Sequence, residues 1–351
     1  MVIYRIPGFH LPLNNLPRVN RRAERVFRRE IPDENILQYY SDSELRARYR
    51  FGRAAILNIV RLIEEEIRPA TNRSFPISAT NQVLITLRFL ATGSFLQVTG
   101  DTIAGADKST VSRIVRRVTL AIAHKLDAFV KFPATQREKA LIKQGFYNLG
   151  GFPCVIGCVD GSHIRIIAPS ENECNFVNRK GYHSINIQGI CDHKGKFLNV
   201  VAKWPGATHD SHFFRTSAIG LALEGTTLDD GVLLGDSGYP CLPYLITPYN
   251  NPITIQQRRF NRAQKCTRSS IERAFGMLKR RFHLLHSEIR MAPDRVCTLV
   301  AACCVLHNIA IDYHEPMWDD DDNQDELDLG HAYEGANRGE AVRSHITNTY
   351  F

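Results

Sequence analysis

Two short apolar runs that each close on an aspartate constrain this chain more than any other feature: Cys154-Val-Ile-Gly-Cys-Val-Asp160 and Val232-Leu-Leu-Gly-Asp236. Each reads as a buried strand ending in a carboxylate. If the two strands run parallel and adjacent, both carboxylates leave the sheet at one edge, where open α/β sheets form their ligand sites. Between them, Ser184-Ile-Asn-Ile-Gln-Gly-Ile-Cys191 and Phe197-Leu-Asn-Val-Val-Ala-Lys-Trp204 flank Asp192-His-Lys-Gly195, which suits a hairpin turn. A short helical segment is expected over 211–216, and Ile271, Phe275, Leu278 and Phe282 make an apolar stripe along a later helix. Strand, hairpin, helix, strand and helix describe an α/β domain with a mixed sheet over residues 150–312.

Upstream, residues 41–135 follow a helical period. Ser41 and Glu44 form a capping box, and Ile56, Ile59, Val60, Ile63 and Ile67 recur on one face. A further apolar helix covers Gln82 to Thr92. Residues 102–122 then read as a helix-turn-helix, with a turn at Asp107-Lys108 and Ser109 as N-cap of a second helix burying Val111, Ile114, Val115 and Val118. The opposite face carries Ser112, Arg113, Arg116 and Arg117, the small polar group and arginines that a DNA-reading helix uses for bases and phosphates; an ordinary helical hairpin with solvated arginines has the same pattern.

Net charge is +8, yet Glu315–Asp328 holds eight acids and no base, so the rest of the chain stands near +16. Such a field favours nucleic acid or another polyanion. Residues 1–40 form a basic, irregular arm in which Arg18, Arg21, Arg22, Arg25, Arg28 and Arg29 crowd together, either a DNA-contacting arm or a solvated segment. Residues 313–351 read as an acidic, disordered tail. With 351 residues and 44% hydrophobic content, two separate cores are expected, with a last apolar helix over 296–311 packing on one of the two domains. No apolar run reaches the roughly 20 residues that span a bilayer, and no signal-peptide core is present, so a soluble intracellular protein is expected. The nine cysteines are scattered and read as reduced thiols; Cys303 and His307, four apart, lack the second ligand pair of a zinc site.

Glu272 is the only acid between Arg258 and Arg281, a stretch with nine Lys and Arg, and it follows Asp236 by 36 positions. Carboxylates brought together repel unless a cation sits among them, and magnesium or manganese prefers such oxygen ligands. Asp160, Asp236 and Glu272 are therefore candidate catalytic acids, and three acids can hold two metals for an in-line attack of water on a phosphodiester. Asp210 is a fourth metal-ligand candidate, or the N-cap of the helix that follows it. His163, His183 and His209 lie near these acids in sequence and suit either phosphate contact or structure; Arg179, Lys180 and Arg273 are candidate DNA contacts.

Five ordered blocks carry a resemblance: Val159-Asp160-Gly-Ser-His163-Ile, Asn178-Arg179-Lys180-Gly181-Tyr-His183-Ser, Trp204-Pro-Gly-Ala-Thr-His-Asp210-Ser, Gly235-Asp236-Ser-Gly-Tyr239-Pro and Ile271-Glu272-Arg-Ala-Phe275-Gly. With Ala-Cys-Cys-Val-Leu-His307-Asn, they resemble the successive motifs of PIF/Harbinger transposases, and the chain over roughly 80–312 is similar to the harbinger transposase-derived nuclease family. The resemblance implies an RNase H-like catalytic domain with flanking helices, a preceding all-α helix-turn-helix domain, an acidic triad binding divalent metal, and a Myb-like partner protein. Asp160 matches the first acid and Glu272 the last; Asp236 and Asp210 both sit in family blocks, with Asp236 favoured as the middle acid. The expected activity is metal-dependent DNA cleavage by two-metal-ion water attack. An active transposase that also transfers strands, and a catalytically silent DNA-binding protein, are the alternatives. Action on DNA implies the nucleus, with the cytoplasm as a second location.

Overall fold

The computed structural model describes residues 33–69, 76–103, 105–207, 214, 217–317, 333 and 338–351. Most of the basic arm, Asp210, the segment 211–216 apart from Phe214, and most of the acidic run lie outside the described residues.

Five strands form one mixed sheet in the order β3-β2-β1-β4-β5: β1 (Val155–Arg165), β2 (Ser184–Cys191), β3 (Phe197–Pro205), β4 (Val232–Leu234) and β5 (Leu245–Ile246). β1 runs antiparallel to β2 and parallel to β4. The mixed α/β sheet read from the sequence is thus present, with one difference. β1 does not stop at Asp160 but continues to Arg165. β4 ends at Leu234, so beyond that level β1 pairs only with β2. Asp160 therefore lies mid-strand, at the point where the parallel partner runs out.

The hairpin between β2 and β3 turns as its residues require. Asp192 Oδ1 accepts from the backbone N–H groups of Lys194 and Lys196 at 2.8 and 2.9 Å, and Gly195 supplies the left-handed backbone at φ +81°. β2 is buried along its whole length. Gly189 permits that, because a Cβ there would meet the rings of Phe197 and Phe275 at 2.9 Å.

The helices before the sheet are α1 (Asp33–Tyr39), α2 (Asp42–Tyr49), α3 (Arg53–Ile67), α4 (Ala79–Thr92), α5 (Leu96–Ile103), α6 (Lys108–Ala123), α7 (Leu126–Phe129) and α8 (Gln136–Gly150). The Ser41–Glu44 capping box starts α2. Residues 33–39, expected to be irregular, form α1. The N-cap of α6 is Asp107 and not Ser109: the Asp107 carboxylate accepts from the Ser109 N–H at 2.8 Å, which starts the helix earlier. α5 turns back onto α6 through a close approach at Gly100, where a Cβ would stand 2.0 Å from the Ala106 carbonyl oxygen.

After β3 come α9 (Ala218–Leu223), α10 (Ile255–Arg281), α11 (Pro293–Asp312) and α12 (Glu340–Tyr350). α12 replaces the disorder expected for the end of the tail. Ile346 is fully buried, and Phe351 packs on Phe152 and Phe260 at ring separations of 5.5 and 5.7 Å.

α11 is long and apolar enough to cross a membrane, contrary to the sequence expectation, but 67% of its most apolar window is buried inside the protein. It packs on α6, α7 and β3 together. The buried apolar residues accordingly form one continuous cluster through the helical and sheet segments, not the two cores expected from composition. The His307-Asn308 pair explains how α11 locks the sheet. Asn308 accepts from Phe197 N–H at 2.8 Å and donates to the carbonyls of Phe197 and Phe129 at 2.8 and 2.9 Å. His307 Nε2 bonds the Gly195 carbonyl at 2.9 Å, and its burial pushes the imidazole pKa down to about 4. These bonds tie α11 to the hairpin and to β3, so the His307-Asn308 pair is a structural pin.

Candidate active site

Register puts the first two acids at one level. Cys158 on β1 pairs with Leu234, the last residue of parallel β4, so Asp160, within β1, and Asp236, just past the end of β4, each lie two residues beyond that pair. Side chains alternate along a strand, and the Cys158 thiol meets the Thr267 carbonyl of α10 at 3.5 Å, so Asp160 faces α10 as well.

Asp236 opens a tight turn. Its Oδ1 accepts from Gly238 N–H at 3.0 Å, and its backbone carbonyl accepts from Tyr239 N–H at 3.3 Å. That turn drives Tyr239 into the core, where its hydroxyl accepts from Gln188 at 3.1 Å. The Asp-Ser-Gly-Tyr run is thus one device: a carboxylate at the rim and an aromatic anchor beneath it.

α10 supplies the opposing wall. A capping box between Thr254 and Gln257 starts it, and Gln264, Arg268 and Glu272, spaced four apart, share the face that meets the sheet. Buried Gln264 donates from Nε2 to the Gly235 carbonyl at 2.8 Å, which fixes the helix against the backbone immediately before Asp236. Arg268 reaches both outer acids. One nitrogen donates to Asp160 Oδ2 at 3.0 Å and the other to Glu272 Oε1. Its side chain is only 15% exposed. Burial disfavours the charged guanidinium, but Asp160, Glu272 and Asp236 outweigh it and hold the Arg268 pKa above the ordinary value. All three described acids therefore address a single buried cation.

Asp160, Asp236 and Glu272 are hard oxygen donors of the type that magnesium or manganese takes, but among the described residues no three such side chains stand grouped closely enough to hold a metal ion as placed. In this arrangement the guanidinium of Arg268 stands between two of them as a cationic stand-in. Asp210 and His209 lie outside the described residues.

The remaining candidates fall in different places. His163, three residues past Asp160, points to the opposite face of β1, where its Nδ1 meets Ser184 Oγ at 3.0 Å. His183 pairs with Glu173 at 3.0 Å. Arg179 and Lys180 are exposed on a turn closed by Gly181 and anchored by buried Asn178, whose amide donates to Ser184 at 3.1 Å. Arg273 is exposed next to Glu272, on a side of α10 that also exposes Arg258, Arg262 and Lys265. On α6, Arg113, Arg116 and Arg117 are all exposed, and Arg116 together with half-buried Ser112 also lines a groove of about 180 Å³ against α11. The sequence alone pairs Glu272 with Arg268 or Arg273 on the helix surface; the structure selects Arg268 and buries it against Asp160 as well, while Gln264, on the same helical face, escaped the sequence reading.

Residues 159–308 match the DDE superfamily endonuclease family. The human protein named "Putative nuclease HARBI1" is 36% identical over 281 residues, covering 79% of this chain and 80% of its own length. The chain belongs to the harbinger transposase-derived nuclease family. Within that family the Xenopus laevis protein of the same name is 33% identical over 276 residues, covering 78% of this chain and 79% of its own. An Arabidopsis thaliana relative, "Protein ALP1-like", is 31% identical over 274 residues, covering 73% and 66%. No solved structure matches. For a harbinger-derived nuclease, the matched region begins one residue before Asp160 and ends on Asn308, so it runs from the first acid to the pin that locks α11.

Proposed function

We propose that this chain is a metal-dependent DNA endonuclease with an RNase H-like catalytic domain, using Asp160, Asp236 and Glu272 as its acids. The observation that supports the reading is the pairing of Cys158 with Leu234 on adjacent parallel strands, which sets Asp160 and the Asp236 turn at one level, with Glu272 on α10 joined to Asp160 through Arg268. Magnesium or manganese held by these carboxylates would supply charge neutralisation and a hydroxide-like water at neutral pH. The chain's own residues do the rest. Arg273, with Arg258, Arg262 and Lys265 along α10, holds the phosphodiester backbone, and Arg179 and Lys180 contact it from the turn before β2. Gln264 keeps the Asp236 turn at a fixed height against α10. Water oxygen adds to phosphorus, the P–O3′ bond breaks, and a 3′-hydroxyl and a 5′-phosphate leave. Arg113 and Arg117 on α6, in the segment read as a helix-turn-helix, are proposed as further phosphate contacts outside the cleavage site.

One observation favours a second reading, a DNA-binding protein without catalysis: Asp160 and Glu272 already pair with a guanidinium. Nicking of supercoiled plasmid in magnesium or manganese separates the two. Asp160→Asn, Asp236→Asn and Glu272→Gln are each expected to lower nicking by about a thousandfold or more, roughly 4 kcal/mol of barrier. Nicking by Asp160→Asn at the wild-type rate would sink the mechanism. A fully active Asp236→Asn beside an inactive Asp210→Asn would move the middle acid to Asp210.

A further inference from the structure

Arg268 occupies an unusual position for an arginine on a DNA-facing helix. Its neighbours Arg262, Lys265 and Arg273 are exposed, whereas its guanidinium is withdrawn to the sheet and bonded on two sides to Asp160 and Glu272. These are two of the three acids that the proposed reaction assigns to the cation. A guanidinium bridging both carboxylates and a divalent ion bound by the same oxygens cannot coexist, because they compete for the same lone pairs and repel one another. Leaving either acid half-buried without any cation is also unfavourable. A planar guanidinium binds a phosphate through the same paired geometry that it uses for a carboxylate. The long side chain of Arg268, one helical turn from Glu272, needs only a change of rotamer to exchange partners.

We propose that Arg268 is an internal counter-ion that holds Asp160 and Glu272 until a DNA phosphate takes over its guanidinium, so that metal loading is coupled to substrate binding. The proposal rests on the metal-dependent reading of these acids. Arg268 is then a positioning residue that acts through the carboxylates. In the DNA-free protein it competes with the ion; in the complex it becomes a phosphate ligand. Because such coupling is reciprocal, manganese must strengthen DNA binding by the factor by which DNA strengthens manganese binding.

The experiment uses the full chain, stripped of metal, with manganese binding followed by electron paramagnetic resonance with and without a short DNA duplex. For the wild type, the duplex is expected to tighten manganese binding at least tenfold. Arg268→Gln is expected to bind manganese about tenfold more tightly without DNA, with the gain from DNA shrinking below threefold. Its metal-free melting temperature should fall and be restored by manganese, a rescue that a purely structural role for Arg268 does not produce. Arg268→Lys, which keeps the charge but not the two-sided guanidinium geometry, should fall between the wild type and Arg268→Gln. The proposal is overturned if Arg268→Gln binds manganese no more tightly than the wild type, or keeps the full gain from DNA. Should that variant not fold, a wild type whose manganese affinity ignores DNA overturns it equally. Tighter manganese binding in Arg268→Gln that is lost with Asp160→Asn, in a chain that never nicks DNA, would remove the nuclease reading and leave the counter-ion role standing. If neither the wild type nor Arg268→Gln binds manganese through Asp160, both fall.

Discussion

Arg268, midway along α10, and Arg281, its last residue, are both withdrawn from solvent, yet their surroundings are opposite in kind. Arg281 is bonded to backbone carbonyls, Arg50 O at 3.0 Å and Glu315 O at 3.3 Å, and lies over the Phe51 ring at 5.9 Å. Burial pulls its pKa down to about 10, with Glu315 opposing that shift. Glu315 itself is committed elsewhere, accepting from Arg46 at 2.6 Å and from Gly52 N–H at 2.8 Å. Arg268 instead faces side-chain carboxylates that raise its pKa. Carbonyls of a fixed backbone have no other cation to bind, so Arg281 is a joint between α2, α3 and the end of α11. Carboxylates can exchange one cation for another, so Arg268 is a replaceable partner. What a buried arginine is paired with, more than its burial, separates architecture from chemistry.

The sharpest test of that contrast is Arg281→Met. It strands buried carbonyls and is expected to cost on the order of 3 kcal/mol, lowering the melting temperature by roughly 4 °C while nicking per folded molecule stays unchanged. Calorimetry beside plasmid nicking measures both; a loss of activity at unaltered stability would erase the distinction between the two arginines.

A comparable effect belongs to His307. The unfolded imidazole takes up a proton near pH 6.5, whereas the buried one stays neutral down to about 4. The unfolded state therefore binds more protons in that window, and stability falls as pH drops from about 6.5 to about 4, by an amount on the order of 3 kcal/mol. Denaturant midpoints at pH 7 and pH 4.5 should show this fall in the wild type and a flatter profile in His307→Gln.

Gln264→Ala removes the donor to the Gly235 carbonyl and frees the Asp236 turn. About a tenfold lower nicking rate per folded molecule, near 1.4 kcal/mol, is expected, together with a small fall in melting temperature from the stranded Gly235 carbonyl. A rate equal to that of the wild type would show that the turn keeps its height without α10. The smallest effect falls on exposed Arg273: Arg273→Ala should reduce the salt dependence of DNA binding by about one phosphate contact and leave stability alone.

The parts of the site that were legible in the sequence follow from local patterns. Apolar runs marked β1 and β4, the turn residues of Asp192–Gly195 marked the hairpin, and two strand-borne aspartates suggested a shared edge before any register was known. The parts that were missed depend on distant partners. Four-residue spacing pairs Arg268 with Glu272, but its burial and its second bond to Asp160 are not local, because they need both the face of α10 and the level at which β4 stops. β1 continues beyond Asp160 because β2 offers it a partner through Ser184, a pairing that Gly161-Ser-His163 does not advertise. α12 was hidden behind an acidic run, although Val342 and Ile346 stand one turn apart and Phe351 closes the same apolar contact. The single core was missed because an all-round apolar helix such as α11 looks the same whether it serves one layer or two.

The packing of α11 against both α6 and β3 has a consequence for how proteins of this family diversify. A chimera that takes residues 41–135 from one relative and the nuclease segment from another would join two halves of an interior that never evolved against each other. α6 and α11 sit some 180 positions apart in the chain yet must be inherited as a matched pair. Changes on the face of α6 that meets α11 are then constrained by a helix remote in sequence, and compensating substitutions are expected there first.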